Sequence, residues 1–222
     1  MKRAVFLDRD GTINSMVYNS EFGLVDSPAN PDEFELLPGS GQAIRLIQQM
    51  GFLSLVVSNQ PGIAKGKLTE KILEATTQRM HHLLALDDVE LDAVYYCLHH
   101  PQAVLDEYRV ECSCRKPKCG LLMNASEELN IDLSRSYFVG DGITDILAGQ
   151  EAGVATILLC KPKPYLMDEL INQGARPNYS AESLLEAARI IQQIEESDGD
   201  GATPFPGSMC LTSPKERNKA AI

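Results

Sequence analysis

Ala4-Val5-Phe6-Leu7-Asp8-Arg9-Asp10-Gly11-Thr12 decides the fold. Four apolar residues in succession, cut off by charge and glycine, read as a strand buried on both faces that empties into a polar loop. Such a strand belongs in a parallel sheet covered by helices, and the rest of the chain alternates accordingly. Residues 39–50 set Ala43, Leu46, Ile47 and Met50 at helical spacing, with Gly51 where a helix end favours a left-handed residue. Residues 52–57 form a second strand that runs into Ser58-Asn59-Gln60-Pro61-Gly62. Thr69 then caps a helix whose apolar face is Ile72, Leu73, Thr76, Met80, Leu83 and Leu84. Further strands are predicted at 91–96, 137–139 and 156–159, with helices over 120–130 and through Leu184, Leu185, Ala188 and Ile191, the last capped by Ser180. Because crossovers between parallel strands are usually helical, the expected class is α/β. It is a Rossmann-like, mostly parallel sheet with helices on both faces and no large cap domain. Ligands of such sheets bind beyond the carboxyl ends of the strands, and three polar loops lie at such ends.

With 222 residues, 44% hydrophobic and 23% charged, the chain has ample material for one globular domain. That domain is expected over 1–192, followed by a tail over 193–222 without apolar periodicity, which reads as disordered and leaves Cys210 without a role. The net charge of -11 offers no field to a nucleic-acid backbone, so nucleic-acid binding is not expected. No apolar run approaches the ~18 residues a membrane span needs, and Met1-Lys2-Arg3 leads within a few residues into Asp8, unlike a signal peptide. A monomeric cytoplasmic protein is expected.

Two groups of residues carry chemistry. Asp8 and Asp10 leave one strand together, and Asp141 in Gly140-Asp141-Gly142 ends another. A single loop Asp usually caps a turn; three at strand ends repel one another and ask for a hard cation, which Mg2+ suits. The second group is Cys97-x-His99 and Cys112-x-Cys114 at the two ends of a loop over 97–119. Three thiolates and one imidazole are a mix that structural Zn2+ takes tetrahedrally, although the tight spacings fit reduced core cysteines equally. His100 precedes a proline and is read as facing solvent or the loop, and Cys119 as a small apolar residue. Lys67, Lys118, His81 and His82 are read as surface, and residues 15–31 as a surface insertion that stands where it could close over the crevice.

Asp8-Arg9-Asp10-Gly11-Thr12, Ser58-Asn59, Arg115-Lys116-Pro117 and Gly140-Asp141 with Asp145 resemble, in order, the four motifs of the haloacid dehalogenase superfamily of phosphatases. Phe6 to Asn14, Ser58 to Lys67 and Tyr95 to Gln102 narrow the resemblance to its subfamily of sugar-bisphosphate and histidinol-phosphate phosphatases. The resemblance implies a small phosphorylated sugar as substrate, Asp8 as nucleophile and Asp10 as general acid, then base. It implies Mg2+ on Asp8, Asp141 and the Asp10 carbonyl, and phosphate held by Thr12, Ser58, Asn59, Gln60 and Lys116, with Arg115 for a second phosphate. It also implies zinc on Cys97, His99, Cys112 and Cys114; because Cys114 directly precedes Arg115 and Lys116, a metal knot there would fix where those cations point. One departure stands out: that subfamily usually carries lysine after the fourth-motif Asp, where this chain has Gly142. Asp145 is read either as an acid favoured at a helix N-terminus or as a neighbour of the metal. The competing readings are a histidinol-phosphate phosphatase, a binding homologue that has lost catalysis, and a nucleic-acid 3′-phosphatase, the last disfavoured by the acidic charge.

Overall fold

The computed structural model describes residues 1–20, 23–160 and 164–197. In chain order the elements are β1 (Ala4–Leu7), β2 (Val17–Asn19), β3 (Leu24–Asp26), α1 (Ser40–Gln49), β4 (Leu53–Asn59), α2 (Glu70–Ala85) and β5 (Ala93–Cys97). They continue with α3 (Gly120–Leu129), β6 (Tyr137–Gly140), α4 (Ile143–Ala152), β7 (Ala155–Leu159), α5 (Pro164–Gln173), β8 (Tyr179–Ala181) and α6 (Leu184–Ser197). Six strands form one parallel sheet in the order β5-β4-β1-β6-β7-β8. The expected fold class is what the structure shows.

The opening quartet explains the layering. Successive side chains of a strand point to opposite faces. Val5 and Leu7 join Ile44 and Ile47 of α1, Leu73 and Met80 of α2, and Leu184 and Ile191 of α6. Ala4 and Phe6 point the other way, into Leu121, Leu122 and Ala125 of α3 and Ala148 of α4. All four β1 residues are fully buried, so the apolar run reflects a strand sandwiched between two helical layers. Val5, Phe6 and Leu7, so withdrawn from water, contribute about 1.5–3 kcal/mol each.

From β1 the chain goes first to β4 and β5 on one side and returns to β6, β7 and β8 on the other. The strand order therefore reverses between β1 and β6, and a crevice opens at their carboxyl ends. Asp8 follows β1, with its N–H donating to the Val139 carbonyl (3.0 Å), and Asp141 follows β6.

Two local expectations change. Ser180 lies inside β8, paired with Leu158, and the serine that caps α6 is Ser183, whose Oγ accepts the Glu186 N–H (3.2 Å). The α6 helix runs to Ser197, past the expected boundary at 192, because Ile191 and Ile194 continue its apolar face onto the core. The rest of the expected tail, Cys210 included, lies outside the described residues. Within 15–31, β2 and β3 pair as an antiparallel hairpin whose Asp26 forms an ion pair with Lys67.

Candidate active site

Three carboxylates meet at the reversal point: Asp8, Asp141 and Asp145 bring one oxygen each within 4.8 Å of one another. Asp8 and Asp141 come from strand ends and Asp145 from the first turn of α4. Gly11 makes this convergence possible. Its φ of 80° disfavours other residues, and a Cβ there would lie 2.2 Å from Asp141 Oδ2. Asp141 loses water at the crevice, and the nearby Asp8 and Asp145 oppose its charge, so its carboxyl is pushed up to about 7. A set of acids that resists ionising together fits a hard dication with oxygen ligands.

One cation from the protein already serves the cluster. Lys116 is buried, and its Nζ lies 2.8 Å from Asp8 Oδ1, 2.6 Å from Asp145 Oδ1 and 3.0 Å from the Val57 carbonyl. Burial opposes its charge, but Asp145 and Asp8 outweigh burial and hold its pKa above the ordinary lysine value. Asp145 therefore has its countercharge without a lysine at 142. Gly142 contributes its N–H to Asp145 Oδ2 (2.9 Å), fastening the start of α4 to the same carboxylate.

Asp10 is turned into a separate network. Arg9, fully buried, donates through Nη2 to both its oxygens (3.2 and 3.1 Å), Asn14 Nδ2 to Oδ1 (3.0 Å) and Gln60 Nε2 to Oδ2 (2.7 Å). Burial alone would raise the Asp10 pKa; Arg9, Asn14 and Gln60 prevail and hold it below the usual carboxylate range. The Arg9 guanidinium also lies over the rings of Tyr96 and Phe34, at 5.5 and 6.0 Å.

The residues expected to hold phosphate separate by position. Ser58, at the end of β4, accepts from Gln60 Nε2 (3.2 Å), and its proton is left to donate. Thr12 is fully buried, and its Oγ1 has no hydrogen-bond partner among the described residues. Asn59 instead spends both ends of its amide on the Lys116 main chain, donating to the carbonyl and accepting the N–H, each at 3.0 Å. It is a latch that places Lys116. Sequence reasoning missed this role, and that of Arg9, because the signal is a partner more than fifty residues away or a side chain that reads as surface.

Cys97, His99, Cys112 and Cys114 form a second cluster with ligand atoms within 4.8 Å of one another. Cys97 Sγ lies 3.6 Å from Cys112 Sγ and 3.3 Å from Cys114 Sγ, and His99 Nδ1 is 3.4 Å from Cys114 Sγ. These three cysteines are free thiols. Spacings near 3.5 Å are close to those around a tetrahedral ion with Zn–S bonds of about 2.3 Å, and the donor set fits zinc. His100 stands outside the cluster, its Nδ1 accepting the Gln102 N–H (3.0 Å). Arg115 Nη1 donates to the His99 carbonyl (3.1 Å), so this cation is tied directly to the cluster. Gly120 lets α3 approach closely: its N–H bonds the Ser113 carbonyl (3.1 Å), and a Cβ would lie 2.5 Å from that oxygen. Lys67 and Lys118 pair with Asp26 and Glu111 in half-exposed positions, as surface lysines do.

Fold and site together define a haloacid dehalogenase-like hydrolase. The HAD-hydrolase-like family model matches residues 113–187. The chain is 46% identical over 193 residues to the D-glycero-β-D-manno-heptose-1,7-bisphosphate 7-phosphatase of Escherichia coli K12, covering 87% of this chain and 95% of that one. To the enzyme of the same name from Pasteurella multocida it is 38% identical, covering 88% and 100%. Among solved structures it is similar to the D,D-heptose 1,7-bisphosphate phosphatase from B. bronchiseptica complexed with magnesium and phosphate. The TM-score is 0.69 at 32% identity, covering 87% of this chain and 99% of that one. The chain belongs to the family of these heptose-1,7-bisphosphate 7-phosphatases.

Proposed function

We propose that the chain is a magnesium-dependent phosphatase that removes the 7-phosphate of D-glycero-β-D-manno-heptose 1,7-bisphosphate, in the route to nucleotide-activated heptose. The observation that carries the reading is the meeting of Asp8, Asp141 and Asp145 with Lys116 at the point where the strand order reverses. The substrate and its anomer come from the names of the relatives.

An Asp8 carboxylate oxygen attacks phosphorus, the bond from phosphorus to the sugar oxygen breaks, and that oxygen takes the proton of the Asp10 carboxyl. Arg9, Asn14 and Gln60 favour the carboxylate form of Asp10, which the second half of the reaction needs. The phosphate charge brought beside it favours the protonated form for the first half. Asp10 then removes a proton from water, whose oxygen attacks phosphorus and releases orthophosphate and Asp8. Ser58 and Thr12 donate to phosphoryl oxygens, Lys116 offsets their charge, and Arg115 grips the second phosphate. Asp8, Asp141 and the Asp10 carbonyl would hold Mg2+, with Asp145 beside them; when bound, the ion supplies charge neutralisation between the attacking carboxylate and the phosphate.

Cys97, His99, Cys112 and Cys114 hold structural zinc in this reading. Cys112→Ser is then expected to lower bound zinc from about one per chain to well below half and to reduce the melting temperature in step. Metal analysis of the purified variant checks this, and unchanged zinc stoichiometry rejects the ligand set. The enzyme is read as a cytoplasmic monomer without nucleic-acid or membrane partners.

Phosphate release in the presence of Mg2+ tests the activity, comparing the two anomers of the bisphosphate, histidinol phosphate and a phosphorylated oligonucleotide. The β anomer is expected to lead in kcat/KM by at least about tenfold, ~1.4 kcal/mol of transition-state stabilisation. A lead for histidinol phosphate or for the oligonucleotide overturns the substrate.

A further inference from the structure

Gln60 stands between the two halves of the site. It is 2% exposed, and its main-chain N–H is committed to the Cys97 carbonyl (2.8 Å), so the residue is pinned where β5 ends. A side-chain amide offers two N–H donors and one carbonyl oxygen. Here Nε2 donates to Asp10 Oδ2 (2.7 Å) and to Ser58 Oγ (3.2 Å), while Oε1 accepts from Arg9 Nη2 (2.9 Å). The partners fix which end is which. Turned over, the amide would face its oxygen to the Asp10 carboxylate and its NH2 to the guanidinium, exchanging favourable contacts for two repulsions. No donor of Gln60 remains for a substrate oxygen, which sets it apart from Ser58. The hydroxyl of Ser58, having accepted from Gln60, keeps its own proton to give.

We propose that Gln60 is a positioning residue: one side chain, braced by Arg9, turns the Ser58 hydroxyl proton toward the phosphate and fixes the Asp10 carboxylate. The inference rests on the reading of Ser58 as a phosphate ligand. It makes phosphate grip and proton donor a linked pair, set together by an amide that touches neither substrate nor metal.

The test reads binding of inorganic orthophosphate, by calorimetry in the presence of Mg2+, so it does not depend on turnover. Gln60→Glu keeps the shape but replaces the donor to Ser58 with an acceptor, toward which the hydroxyl proton turns. Orthophosphate affinity is expected to fall at least about tenfold, as for loss of a hydrogen bond to a charged group. Ser58→Ala is expected to cause a similar loss. In the Ser58→Ala background, Gln60→Glu is expected to add less than about threefold, because its effect passes through that hydroxyl. Simple repulsion by the new carboxylate, or a general loosening of the fold, would instead multiply the two losses, and that result overturns the proposal. Gln60→Met, which removes the donor without adding charge, provides the same comparison if Gln60→Glu does not fold. It is expected to weaken orthophosphate about threefold or more in the Ser58 protein and negligibly in the Ser58→Ala protein. Failure of the underlying reading has a different signature: a folded wild-type protein that binds no orthophosphate and releases none from any ester. Wild-type binding that every Gln60 variant retains counts against the positioning role alone.

Discussion

Asp8→Asn is expected to slow phosphate release by at least ~10⁴-fold while leaving the melting temperature within a few degrees of wild type. The two halves of this expectation have separate causes. An amide has no anionic oxygen to attack phosphorus and cannot form the mixed anhydride, so the two-step route closes. The shape of the side chain is kept, and its carbonyl oxygen can still accept the Arg9 N–H (2.8 Å) and lie beside the Lys116 ammonium, now 2.8 Å from Asp8 Oδ1. Lys116 also keeps Asp145 and the Val57 carbonyl, so no buried charge is left alone. Rapid quenching should trap a phosphorylated Asp8 in the wild type and none in the variant. A variant retaining more than about a tenth of the wild-type rate, or a phosphoryl group trapped elsewhere, would show that Asp8 is not the nucleophile.

The parts of this molecule that were legible in sequence are those written in short-range pattern. The run from Ala4 to Leu7 announced a strand covered on both faces, and the breaks at Asp8, Ser58 and Asp141 marked the strand ends that meet at the crevice. The Cys/His pairs were legible as donors because thiolate and imidazole chemistry is particular; that they converge within 4.8 Å is a matter of folding. What escaped was written in long-range partnership. Ser180 carries a good capping signal, yet pairing with β7 claims it for β8 and leaves Ser183 to cap α6. The edge strand β8 itself is only three residues, too short for a period-two pattern. Arg9 sits in sequence beside an acid like any surface ion pair, and only the fold shows it buried beneath Tyr96 and Phe34. Gly142 stands out as a departure by the same logic, because the sequence alone does not show Lys116 paired with Asp145.

That arrangement makes Lys116 a residue whose loss should cost the fold several kcal/mol. An ammonium has three N–H donors, and Lys116 faces three acceptors: Asp8 Oδ1, Asp145 Oδ1 and the Val57 carbonyl. Lys116→Met keeps the volume but leaves Asp145, 1% exposed, and Asp8 with no cation between them. Removing one partner of a buried pair costs about 3–5 kcal/mol. For a domain of this size that corresponds to a melting temperature lower by roughly 10 °C. Because the folded-state pKa of Lys116 is raised, its stabilising contribution is complete below the ordinary lysine value of about 10.4 and declines only as pH rises beyond it. The size of the drop is set instead by the acids left behind: burial pushes the Asp145 and Asp141 carboxyls up, the latter to about 7, and without Lys116 Asp145 takes up a proton still more readily, so the drop should be smaller at pH 6 than at pH 8. Mg2+ placed among Asp8, Asp141 and Asp145 would supply positive charge to the same acids, so it should raise the melting temperature of Lys116→Met by more than it raises that of wild type. Turnover should not return with the ion, since the phosphoryl oxygens still lack the cation that offsets their charge in transfer. Thermal melts with and without MgCl2, paired with phosphate release, separate the two roles: equal melting of variant and wild type would show that Lys116 does not hold the acids together, and recovery of the rate with Mg2+ would show that its charge is not needed for transfer.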